Sequence, residues 1–180
     1  MRKVLTYPNP SLKKKSRDCD LSDKKALKKI IIELGKEMYA CNGIGMAGIQ
    51  LGYELRVFVI DVEQIKGKKN LIVFINPKIT NLEGEAEENP EGCLSCPGIS
   101  VPILRKPIAT VEFYDANCKK KEITSDGLFS RAIQHEYDHL EGKTLFDSAS
   151  VSARNQALVA YHIALATARK AGQAGDSCEE

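Results

Sequence analysis

Apolar residues recur at steps of three and four from Leu27 through Ile30, Ile31, Leu34 and Met38 to Cys41, with charged residues between them. That stripe predicts an amphipathic helix over 23–41, with Ser22 as its N-cap and Asn42-Gly43 as its stop. Strand-like segments follow at 55–62, 71–75 and 109–114. In the last of these, Ala109, Val111 and Phe113 alternate with Thr110 and Glu112, the period of a half-buried strand. Asp115, Ala116 and Asn117 then read as a turn into a further strand over 121–124. The stretch 76–107 is rich in proline, glycine and acidic residues, and predicts loop with short extended pieces. A second helix is expected over 127–141, capped by Ser125 or Asp126 and stopped at Gly142. A third is expected over 152–171, with Leu158, Tyr161, Leu165 and Ala168 on one face. Helices and strands do not alternate regularly, and neither repeat nor linker interrupts them. The pattern therefore predicts an α+β fold in one domain spanning 1–180.

Composition narrows the function classes. A hydrophobic fraction of 43% and a charged fraction of 28% over 180 residues suit one buried core. The net charge of +2 is too small to imply a DNA or membrane partner. The runs Lys13-Lys14-Lys15 and Lys119-Lys120-Lys121 read as solvated loops. The first ten residues carry no apolar signal core, and apolar runs such as 71–75 are far too short to span a bilayer, so a cytoplasmic chain is expected. In a reducing compartment the six cysteines should be thiols, ligands or catalytic groups. Cys19, Cys41, Cys118 and Cys178 have no motif around them, which leaves Cys93 and Cys96 to explain.

The strongest chemical signal is His135-Glu136-Tyr137-Asp138-His139. Two histidines four apart on a helix share a face, so both imidazoles can converge on one cation. Glu136, beside the first, is placed to hold a water molecule, take its proton and later deliver that proton to a leaving group. Two histidines make half a site, and the third ligand decides the class. A metzincin-type protease needs a histidine where this chain has Leu145, and a thermolysin-like enzyme needs a downstream glutamate that is missing before Glu179. Asp147 and His162 remain possible. The best candidate lies upstream in Glu91-Gly92-Cys93-Leu94-Ser95, because a thiolate suits such a cation. The Leu94 backbone N–H there can face an oxyanion. Three protein ligands leave an open position, as in catalytic rather than structural sites.

Two other patterns compete. Cys93-Leu94-Ser95-Cys96 is a CxxC, but Pro97-Gly98 directly behind it argues for a turn rather than the helix a redox pair opens. A zinc-stabilised module using Cys93 and Cys96 with both histidines would close the site. Gly43, Gly45 and Gly48 spell GxGxxG, yet no crossover helix fits before the next strand, so a dinucleotide site is not expected.

Taken together, three segments resemble the bacterial peptide deformylase family in order. They are Gly43-Ile44-Gly45-Met46-Ala47-Gly48-Ile49-Gln50, Glu91-Gly92-Cys93-Leu94-Ser95 and Gln134-His135-Glu136-Tyr137-Asp138-His139. The likeness covers about residues 2–148 and includes Val4-Leu5-Thr6-Tyr7-Pro8-Asn9-Pro10. It departs at Gly48 and Ile49, where the family usually has alanine and often proline. The resemblance implies antiparallel sheets around a central metal-binding helix, with an N-terminal and a C-terminal helix. It implies Cys93, His135 and His139 as ligands of one divalent metal, Fe²⁺ in the cell, with Zn²⁺, Ni²⁺ or Co²⁺ possible in the isolated protein. Glu136 then matches the catalytic acid/base, Gln50 and the Leu94 N–H the oxyanion donors, and Gly45 a backbone contact to substrate. The substrate implied is the N-formyl-methionyl end of a nascent polypeptide near the ribosome, losing formate. Leu128 and Ala132 precede His135 by seven and three residues and share its face, so with Ile44 they are the expected walls of a methionine pocket.

Overall fold

The first apolar stripe forms helix α1, Lys24–Ala40, in a computed structural model that describes residues 2–170. Its cap is Asp23 rather than Ser22. The Asp23 carboxylate accepts the Ala26 N–H at 3.0 Å, whereas the Ser22 hydroxyl is turned back to Asp20 at 2.7 Å.

Strands β1 (Gly45–Ala47), β2 (Val57–Ile60) and β3 (Ile72–Glu83) are followed by β4 (Glu87–Cys93) and β5 (Cys96–Arg105). β6 (Ile108–Tyr114) and β7 (Lys120–Ser125) complete the set. Five of them form one antiparallel sheet in the order β1-β2-β3-β6-β7, and β4 with β5 form a separate hairpin. Val57 and Val59 face α1, and Phe58 and Ile60 face the opposite layer. A strand buried on both sides reads as a continuous apolar run, which is why β2 lacks alternation.

The stretch expected to be mostly loop is instead the end of β3, then β4 and β5. The apolar pattern failed there because five of the seven β4 positions, Glu87 to Pro90 and Gly92, are exposed and only Glu91 is buried. Pro90 and Pro102 sit opposite one another in the ladder, so two residues that cannot donate are paired together. β3 is also irregular, with register shifts after Ile75 and Ile79.

Helix α2, Gly127–Leu140, packs Ala132, Ile133 and Leu140 against Phe58, Phe74 and Phe113 of the large sheet. Its other side meets the β4–β5 hairpin, where Arg131 donates to the carbonyls of Ile103 and Glu87, each at 2.9 Å. The expected arrangement of antiparallel sheets about a central helix is what forms. A short α3, Leu145–Ser148, absent from the sequence reading, leads into α4, Val151–Lys170. On α4, Tyr161 is fully buried against Tyr7 and Phe146, and its hydroxyl donates to the Tyr7 carbonyl at 2.9 Å. Leu158 and Leu165 pack beside it; the Ala168 side chain and Ala171 lie outside the described residues. Tyr7 in turn donates its N–H to the Ser95 carbonyl at 2.8 Å, and Leu5 donates to the Gln50 carbonyl at 2.7 Å. The N-terminal segment thus pins two motif loops at once, and α4 holds that segment in place.

Among the described residues no helix is long and apolar enough to cross a membrane. Cys19 and Cys118 are free thiols as expected, Cys41 is disulfide-bonded against that expectation, and Cys178 lies outside the described residues.

Candidate metal centre

Consecutive turns of α2 present His135 and His139 on one face, with ring centroids 5.1 Å apart. The β4–β5 turn delivers Cys93 to the same point, its Sγ 3.2 Å from His139 Nε2. The three ligand atoms of Cys93, His135 and His139 all lie within 4.8 Å of one another, the only such group among the described residues. Asp147 and His162 are not part of it. Asp147 accepts from the Thr144 N–H and hydroxyl, each at 2.7 Å, and is paired with Lys13; His162 is exposed on α4.

Glu91 orients this set. Its Oε2 accepts His135 Nδ1–H at 2.9 Å, so the other ring nitrogen is left for a cation. Arg105 grips the same carboxylate through Nε and Nη2, both at 3.0 Å, and Arg131 adds a contact at 2.8 Å. Arg105 also reaches Asp138 at 2.6 Å. Burial alone would raise the Glu91 carboxyl, but hydrogen bonds from His135 and Arg105 outweigh it and hold the pKa at about 2. The Cys96 thiol donates to Cys93, and together with the charge of His139 it holds Cys93 well below the ordinary thiol range despite burial. Cys96 is pushed up correspondingly. Burial works against charge on both histidines, yet the Cys93 sulfur raises each.

Glu136 is buried, and its Oε2 has no hydrogen-bond partner; the same is true of His139 Nδ1. Burial pushes the Glu136 carboxyl up to about 7, against the pull of His135 and His139. Gly45 makes room for it. A Cβ at Gly45 would stand 2.5 Å from Glu136 Oε1, so the carboxylate can hold this position only beside a glycine. Gln50 sits in a single turn of 3₁₀ helix, Gly48–Leu51, directly after β1. Its Oε1 accepts the Ala47 N–H at 2.8 Å, which fixes the amide with Nε2 as donor, 3.1 Å from Ser95 Oγ and 3.6 Å from Cys93 Sγ. A Cβ at Gly48 would lie 3.2 Å from the carbonyls of both Leu55 and Tyr53. The departure at Gly48 thus fits this chain's own close packing, and Gln50 stays tied at both ends of its amide.

Gln50, Glu91, Cys93, His135 and Glu136 line one cavity of about 500 Å³, whose walls include Ile44, Gly45, Leu94, Leu128 and Ala132. Leu94 follows Cys93 at the hairpin tip. Leu128 is half exposed at the rim, and Ala132 is buried. Every residue that the resemblance assigned to the site lines this cavity except His139, which is buried against Cys93 Sγ. Glu91, Arg105 and Arg131 were missed. Arg131 precedes His135 by four residues, so helical spacing held a signal for it; nothing local marks Arg105.

Whether the residues fit a divalent cation is answered by the donors themselves. One thiolate and two imidazoles, one of them oriented by a carboxylate, form a borderline-soft set with room for a further ligand. The partnerless Glu136 oxygen beside them suits proton exchange with a water in that position. An open metal centre with a buried carboxylate at its side defines a metallohydrolase. The family follows from comparison with known proteins: the polypeptide deformylase model matches residues 1–155, and the chain belongs to that family. It is 42% identical over 147 residues to the peptide deformylase of Thermodesulfovibrio yellowstonii, covering 82% of this chain and 88% of that one. The peptide deformylase of Nitrosococcus oceani is 38% identical over 153 residues, covering 85% and 89%. Among solved structures, the Legionella pneumophila peptide deformylase matches with a TM-score of 0.83 at 35% identity, covering 91% of this chain and 94% of that one. The Synechococcus elongatus peptide deformylase, solved in complex with actinonin, also gives 0.83, at 32% identity and covering 89% and 88%. The family's activity is removal of the N-formyl group from new peptides.

Proposed function

We propose that this chain removes the formyl group from the N-terminal formyl-methionine of nascent polypeptides in the cytoplasm, close to the ribosome, and releases formate. One divalent cation, Fe²⁺ in the cell and replaceable by Zn²⁺, Ni²⁺ or Co²⁺, would be held by Cys93, His135 and His139. No DNA or membrane partner belongs to this reading. The observation that carries it is the convergence of those three ligands beside the partnerless Glu136 carboxyl at the wall of one cavity.

When bound, the cation supplies Lewis acidity toward the formyl carbonyl and toward water. The remaining work falls to the side chains. Glu91 fixes the His135 ring through Nδ1. Glu136 Oε2 accepts a proton from the attacking water as its oxygen adds to the formyl carbon. Glu136 then returns that proton to the α-amine nitrogen as the carbon–nitrogen bond breaks, leaving formate and a free N-terminus. A carboxyl near pKa 7 serves both transfers, and a neighbouring cation would draw it lower. Gln50 Nε2, with its amide locked by Ala47, is the side-chain donor to the charge that develops on the formyl oxygen, turning a hydrogen there from its long contact with Cys93 Sγ, and the Leu94 N–H is the second donor. Gly45 offers backbone to the substrate, while Ile44, Leu128 and Ala132 enclose the methionine side chain.

Elemental analysis combined with formate release from a formyl-methionyl peptide tests this. One metal per chain is expected. Glu136→Gln should keep metal and substrate binding while turnover falls by at least about 10²-fold. A metal-replete Glu136→Gln protein with near-normal formate release would end the mechanism. A metal-replete wild type inert toward formyl-methionyl peptides would end the substrate assignment.

A further inference from the structure

Cys96 belongs neither to the ligand group nor to the family motifs, yet it touches the ligand sulfur. The hairpin pairs Cys93 directly with Cys96 across the two-residue turn Leu94-Ser95. Directly opposed residues in an antiparallel ladder have Cα atoms about 4.5–5.5 Å apart, inside the roughly 4.4–6.8 Å range of disulfides. As direct cross-strand partners, the two side chains also lie on the same face of the ladder. Cys93 and Cys96 both line the cavity, while Cys96 is only 1% exposed overall. An oxidant reaching the pair must therefore come through the cavity, and it must be small.

We propose that Cys93 and Cys96 form a redox modification site, in which a peroxide converts the two thiols to a disulfide, removes the sulfur ligand and releases the metal. The proposal rests on Cys93 being a ligand. In the first step Cys93 sulfur attacks one peroxide oxygen; the oxygen–oxygen bond breaks, Cys93 becomes a sulfenic acid and one water (or alcohol, from an alkyl peroxide) leaves. In the second, Cys96 sulfur attacks the sulfenic sulfur, the sulfur–oxygen bond breaks and a water carries away that oxygen. Each sulfur loses one electron to the peroxide; the metal–sulfur bond breaks as Cys93, bound as a thiolate, is oxidised, and the two waters take one hydrogen from the Cys96 thiol and one proton from solvent. The consequence is protective. A sulfenic acid with a thiol beside it closes to a reducible disulfide before further oxidation reaches the irreversible sulfinic and sulfonic acids. Reduction by a dithiol reopens the pair and restores the ligand.

The test uses the full chain loaded with Zn²⁺, which takes no part in redox chemistry. Hydrogen peroxide is added, released zinc is read with a chromogenic chelator, and thiol-blocked protein is mapped by mass spectrometry. The expected result is a Cys93–Cys96 disulfide, with zinc released in step and both changes reversed by dithiothreitol. Cys96→Ala and Cys96→Val, two small apolar replacements for a buried strand position, should instead accumulate oxygenated Cys93 and release zinc irreversibly. Wild type that gains oxygen on Cys93 as irreversibly as those variants overturns the proposal. A disulfide formed with zinc fully retained overturns the release step and the reading of Cys93 as a ligand, while leaving the sulfur pairing intact.

Discussion

Gly45→Ala separates the placing of Glu136 from its chemistry. The added Cβ would sit 2.5 Å from Glu136 Oε1 and 3.0 Å from its Cδ, whereas ordinary contact begins near 3.4 Å. The strand cannot give way, because Gly45 is in register with Ile60 and the neighbouring Met46 and Ala47 are fully buried. The carboxylate must therefore retreat by about 1 Å, and a misplacement of that size can cost about 10²-fold in rate. That is about 2.7 kcal/mol of barrier. Stability should change little, since the displaced group is a side-chain end with one oxygen unbonded. Steady-state kinetics on a formyl-methionyl peptide, metal analysis and a thermal melt read the three quantities separately. The expected result is full metal, a nearly unchanged melt and kcat down about 10²-fold. An unchanged kcat at full metal loading refutes the steric reasoning. A loss confined to KM would make Gly45 chiefly a backbone contact to substrate.

Three further outcomes follow from the same geometry. Cys93→Ala should lose the bound metal together with activity, and metal analysis showing full retention would remove Cys93 from the ligand set. The Glu91 carboxyl is held at about 2 rather than 4.5, so its contribution to stability is complete above about pH 4.5 and is lost as the pH falls toward 2. Glu91→Gln should flatten acid unfolding in that window, as followed by circular dichroism, and cost about 3 kcal/mol at neutral pH by stranding buried guanidinium charge; an unchanged pH slope would deny Glu91 its ionised role. Replacing Ala132 with leucine should raise KM for formyl-methionine more than for formyl-alanine peptides, and equal effects on both would take Ala132 out of the pocket.

What the sequence determined by itself was local. The 3.6-residue period set α1 and α2, and the same period placed His135 and His139 on one face. The alternation in 109–114 found β6. The chemistry of a third ligand pointed to Cys93, and sequence resemblance added Gln50, because the three motifs occur together in one order. The hairpin was hidden, since exposed strands with prolines carry no apolar period. The C-terminal helix was visible as a helix but silent as to purpose until Tyr161 met Tyr7, 154 residues away. Glu91 and His135 are 44 residues apart, and Arg105 is 14 from Glu91. No periodicity connects such positions. A charge can be buried only where opposite charges and donors meet it, and those partners exist only once the hairpin has folded over α2. Tertiary structure alone therefore decided which nitrogen of His135 faces the centre, which way Gln50 points its amide, and why Gly45 must lack a side chain.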